Sequence, residues 1–83
     1  MEREKIIKDL KKKLENKLKS LEEKLDKLER ELPLQVATSE IIETSEDIER
    51  IKLAIDILEK SKDEIDEGFE SAKRYAIHVL STT

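Results

Sequence analysis

The residues of this sequence that could do chemistry are glutamates spaced three apart and a single histidine, His78. On a helix, carboxylates at this spacing can hold Mg²⁺, and di-iron bundles combine them with an E-x-x-H partner. The chain contains no E-x-x-H, and acids this frequent produce the spacing by chance. We therefore interpret them as a solvated acidic face and predict no metal site, no cofactor, no catalytic residue and no enzyme activity. The pairs are Glu40/Glu43, Glu46/Glu49, Glu64/Glu67 and Glu67/Glu70.

A second candidate site is the lysine-rich start of the chain. Residues 1–20 carry eight basic residues against four acids, a net charge of +4, whereas residues 40–70 carry twelve acids against four basic residues, a net charge of −8. A basic surface can contact nucleic acid or another anion, and the candidates for such a contact are Lys5, Lys8, Lys12 and Lys13. No aromatic or arginine cluster accompanies them, so base recognition is not expected. Nucleic-acid binding is therefore an alternative function rather than the first.

The first helix, predicted for residues 2–31, carries a heptad pattern. Its apolar residues alternate at spacings of three and four, which draws one narrow seam along a helix whose partner is another helix. Pro33 disfavours helical conformation at Leu32, so a turn is predicted at about 31–34. The seam consists of Ile7, Leu14, Leu18, Leu21, Leu25, Leu28 and Leu32.

The second half of the chain keeps the same seven-residue register, with Thr44 and Lys62 as polar interruptions. The register favours one long second helix over about 34–81, with possible irregularity at 35–45 and a start either near Pro33 or near Ser39–Ser45. The alternative is a break near Ser61, where S-K-D-E has the pattern of a capping box that would begin a third helix. That alternative predicts a monomeric three-helix bundle.

Composition and charge together predict an all-α fold. Charged residues make up 46% and aromatic residues 2%, with one Gly and one Pro, which leaves few residues for hairpin turns. A reversal near Pro33 places the basic segment 1–20 against the acidic segment 46–65, which favours antiparallel pairing. We predict a single domain over residues 1–83, an antiparallel helical hairpin or coiled coil whose long second helix assembles into a bundle.

One seam does not account for all the apolar residues, and the excess indicates a partner surface. We predict protein–protein interaction or assembly as the function, as a scaffold or adaptor, with a second copy (a homodimer) or another helical protein as the partner. The absence of a signal peptide and of a membrane span predicts a soluble, cytoplasmic protein. The predicted interaction surface is Ile42, Leu53, Ile57, Ile65, Phe69, Tyr75, Val79 and Leu80.

The composition itself has two interpretations. A cysteine-free chain rich in Lys, Glu and Leu fits a thermophile's protein. It fits equally an artificial helical-bundle design without a natural function. The less regular stretches 35–45 and 74–83 favour a natural origin.

Overall fold

A computed structural model of the protein describes residues 2–31 and 34–83, with side chains described for 2–30 and 39–83. Three α-helices follow one another: α1 (Glu2–Glu31), α2 (Leu34–Lys60) and α3 (Asp66–Thr82), with a short 3₁₀ turn (Ser61–Asp63) between the last two. The described part of the chain contains no strand. The predicted all-α fold is confirmed, and the predicted turn at 31–34 lies largely outside the described residues.

The first two helices form the predicted antiparallel hairpin. Leu, Lys and Glu are good helix formers and fill α1 without an interior Gly or Pro. Ile7 and Leu14 of α1 lie in one buried cluster with Ile51 and Leu58 of α2. Lys11 forms an ion pair with Glu59 across the pair, so the basic start of α1 does face the acidic end of α2. α2 is helical without interruption from Leu34, and neither a later start nor an irregularity at 35–45 occurs.

The second helix does not continue to residue 81, so the prediction of one long helix is wrong and its alternative, a break near Ser61, is confirmed. The buried Ser61 hydroxyl donates to the Leu58 carbonyl at 2.6 Å, and the Glu64 N–H donates to the Ser61 carbonyl. Glu64 and Ile65 are then extended, with ψ of 163° and 165°. The capping-box interpretation is wrong in detail, because α3 begins after Ile65, which makes no side-chain cap.

The third helix lies antiparallel to α2 and parallel to α1. Arg3 contacts Asp66 at the start of α3, and its guanidinium donates to the Glu64 carbonyl at 2.8 Å. At the other end, the Lys17 ammonium donates to the Leu80 carbonyl at 3.3 Å. α3 has 17 residues and α1 has 30, so α3 covers only the first half of α1.

The core therefore sits at one end of an elongated molecule of 48 × 18 × 17 Å. It joins side chains from all three helices, and the buried members are Ile7, Leu10, Leu14, Ile51, Ala54, Leu58, Phe69, Ala72, Ala76 and Val79. Beyond Lys17 the fold is a two-helix hairpin. None of the helices in residues 2–31 and 34–83 is long and apolar enough to cross a membrane.

Candidate interaction surface

Two residues of the predicted interaction surface lie inside the chain's own core. Phe69 is 6% exposed and Val79 is 1% exposed. The Arg3 guanidinium lies over the Phe69 ring, 4.7 Å from its centre. α3 folds back and buries both side chains against α1 and α2, so neither is exposed to a partner.

Three further members of the predicted surface occupy the edge of the core. Ile57, Tyr75 and Leu80 are partly buried and pack against the central cluster. Part of each side chain remains accessible, so they can border an interface but cannot form its centre.

The remaining three predicted residues are exposed. Ile42 on α2 is 53% exposed, Leu53 on α2 is 50% exposed, and Ile65 before α3 is 72% exposed. Ile65 is extended in the break before α3, and its side chain faces outward. Ile77 on α3 is 48% exposed and was not predicted.

Ile42 and Leu53 together form what we call the α2 ridge. At 100° per residue they lie on the same side of α2, about 16 Å apart along the axis, opposite the seam that contacts α1. Glu46 and Glu49 lie between them and are exposed. The ridge is thus an apolar pair of side chains set in an acidic helix face.

A groove runs between α1 and α2 in the two-helix half of the molecule, on the side away from α3. Its floor contains the half-buried Leu25 and the buried Ile48. Around this apolar floor stand four carboxylates and one lysine: Glu22, Asp26, Glu29, Glu49 and Lys52. The groove is therefore apolar at its base and acidic at its rim.

The candidate anion-binding lysines, Lys5, Lys8, Lys12 and Lys13, are all exposed. No ion pair within the described residues involves any of them. These four charges are thus available to a partner.

Lys11 differs from its neighbours because it is engaged within the chain. Its hydrogen bond and charge interaction with Glu59 raise the pKa of Lys11 and lower the pKa of Glu59. Each partner favours the charged form of the other. The pair therefore links α1 to α2 across the side of the hairpin that α3 leaves open.

The carboxylates of the E-x-x-E pairs do not converge. Every glutamate in those pairs is exposed, as is His78. Within the described residues, no three His, Asp or Glu side chains are grouped so that they could hold a metal ion.

Comparison with known proteins adds no functional information. The chain matches no protein-family model, no curated protein and no solved structure.

Proposed function

We propose that this protein is a non-catalytic assembly module, a scaffold subunit that associates with copies of itself through helix surfaces. The observation that supports the proposal is the α2 ridge: Ile42 and Leu53, on one side of α2, remain about half exposed in the folded chain. Two large aliphatic side chains on the outer face of one helix are the kind of anchor that a partner helix buries. Half-buried Ile57 extends the same side of α2.

Light scattering across a range of concentrations tests this proposal. We expect a mass above one chain that falls on dilution, because two anchors support a modest affinity. An Ile42→Lys, Leu53→Lys variant should lower the mass toward one chain. Both positions face solvent, so helix content by circular dichroism should stay the same.

An Ile77→Lys variant is the matched control, because Ile77 is similarly exposed but lies on α3. It should associate as the wild type does. A wild-type mass of one chain at every concentration would contradict self-assembly. An unchanged mass in the Ile42→Lys, Leu53→Lys variant would remove the α2 ridge from the interface.

The second candidate function is nucleic-acid binding through α1. The observation in its favour is that Lys5, Lys8, Lys12 and Lys13 are exposed and form no ion pair within the described residues. Binding of this kind would rest on phosphate contacts and would weaken steeply with salt. A mobility-shift measurement at low salt with duplex and single-stranded DNA and RNA tests it, and no shift there would rule it out.

A further inference from the structure

A stripe of charged residues runs along the outer side of α1, and its sign reverses half-way. The positions alternate at spacings of three and four, which keeps them on one side of the helix. They lie on the side of α1 away from α3, and all are exposed. In order they are Lys5, Lys8, Lys12, Glu15, Lys19, Glu22, Asp26 and Glu29. We call this set the α1 stripe.

The charges of the stripe have opposite signs at equal distances before and after residue 17. Reversing the helix about that point brings each charge onto one of opposite sign: Lys5 meets Glu29, Lys8 meets Asp26, Lys12 meets Glu22 and Glu15 meets Lys19. The flanking positions obey the same rule, with Glu4 opposite Arg30 and Lys11 opposite Glu23. Within residues 4–30 only Lys17, at the centre of the mirror, meets a like charge, that of its own copy. Its side chain points toward α3, where its ammonium donates to the Leu80 carbonyl.

Pairing within the chain does not account for this pattern. Lys11, which flanks the stripe, forms an ion pair with Glu59 of α2, but no ion pair within the described residues involves Lys5, Lys8 or Lys12. The acidic second half of the stripe, however, lies beside the start of α2, where Glu40, Glu43 and Glu46 add more negative charge. A basic surface on a second molecule would complement this acidic half.

We propose that α1 pairs with α1 of a second copy, antiparallel, about a two-fold axis level with residue 17. The inference rests on the assembly role proposed above and places a contact between like chains on α1. Two-fold symmetry makes each contact occur twice, so the four mirrored pairs of the stripe become eight ion pairs. A parallel arrangement would set every charge against its own copy, so the stripe selects the antiparallel orientation.

The acidic groove gives this contact an apolar component. Glu22, Asp26 and Glu29 belong both to the stripe and to the rim of the groove above Leu25 and Ile48. Lysine side chains from the partner's α1 would place their ammonium groups at this rim and their aliphatic stems over the floor. Within the described residues, only Asp26 of the three forms an ion pair, with Arg30 at 3.4 Å, so two of the three carboxylates are available.

Two charge-reversal variants test the pairing. One carries Lys5→Glu, Lys8→Glu and Lys12→Glu, and the other carries Glu22→Lys, Asp26→Lys and Glu29→Lys. Each variant alone has like charges along most of the stripe, so its self-association should weaken by about tenfold or more. An equimolar mixture should restore a species of two chains, one of each kind.

Analytical ultracentrifugation at about 50 mM and about 500 mM salt is the measurement, because screening weakens exposed ion pairs. We expect the wild-type dimer to weaken with salt. The matched control carries Lys24→Glu and Lys27→Glu. Both lysines are exposed on α1, but in the antiparallel pairing their positions correspond to the uncharged Leu10 and Ile7 of the second copy. The control should associate as the wild type does, and circular dichroism should show unchanged helix content in all variants.

The outcomes separate this inference from the proposed function. If both stripe variants associate as strongly as the wild type, and the mixture shows no preference for a dimer of one copy of each, the α1 pairing is overturned. Assembly through the α2 ridge then remains in place. Loss in the stripe variants with no change in the ridge variant supports the α1 pairing and overturns the ridge. A wild type of one chain at every concentration overturns both.

Discussion

Replacing Phe69 with alanine tests whether α3 is held in place by its buried face. Phe69 is 6% exposed and belongs to the cluster that joins all three helices. Removing a buried Phe side chain costs about 3–5 kcal/mol, and the Arg3 contact over the ring adds about 0.5–1 kcal/mol. A chain of 83 residues has a total stability of about 4–12 kcal/mol. Phe69→Ala should therefore remove a third or more of the free energy of unfolding.

Urea unfolding followed by two signals makes the assay specific. Circular dichroism at 222 nm reports all three helices, whereas fluorescence of Tyr75, the only Tyr in a chain without Trp, reports α3. We expect the tyrosine midpoint of Phe69→Ala to fall at least as far as the helical one, because α3 loses its main anchor. Ile77→Ala is the control, since this half-exposed side chain on the same helix should change stability by about 0.5 kcal/mol or less. A loss below about 1 kcal/mol for Phe69→Ala would refute the packing of α3.

Three further perturbations address single contacts, each measured by urea unfolding. Ser61→Ala removes the hydrogen bond from the buried hydroxyl to the Leu58 carbonyl and should cost about 1 kcal/mol; no loss would mean that the bond does not stabilise the break. Thr44→Val removes the hydroxyl of a seam residue that is 2% exposed and should cost about 1 kcal/mol, because no buried side-chain polar atom of the described residues lacks a hydrogen-bond partner; a gain in stability would contradict this. The Lys11–Glu59 pair should contribute stability at neutral pH that is lost at both extremes. As pH falls, the contribution disappears through the lowered pKa of Glu59, and as pH rises it disappears through the raised pKa of Lys11. A Glu59→Gln variant should differ from the wild type in mid-range and converge with it at low and high pH, and a constant difference would contradict the pairing.

The hairpin was predictable because its signals are local and periodic. Seam residues such as Leu14, Ile51 and Leu58 recur at heptad spacing and are fully buried. The same register continues through Phe69, Ala72, Ala76 and Val79, which form the buried face of the third helix, although the sequence analysis assigned Phe69 and Val79 to a partner surface. A heptad pattern reports the buried face of each helix but says nothing about whether two successive faces belong to one helix.

The break and the third helix carried weaker signals that periodicity does not detect. Leu10 and Ile6 lie off the α1 seam, yet Leu10 is buried and Ile6 packs against the core. Such a second apolar stripe, confined to the first half of α1, indicates a third helix of limited length. A change from Lys60 and Lys62 to Asp66 and Glu67 places basic residues at a helix C-terminus and acids at the next N-terminus, as the helix dipole favours.

The unequal helix lengths connect the fold to the proposed assembly. The three-helix half contains the core, whereas the half beyond Lys17 buries one seam and depends on its continuity with that core. In the antiparallel dimer, the lysines on the three-helix half of each copy meet the acids on the two-helix half of the other. Each copy would then support the less buried half of its partner, and dimer formation would stabilise the fold by mass action. The free energy of unfolding of the two-helix half should accordingly rise with protein concentration, whereas a stripe variant measured alone should lose this dependence.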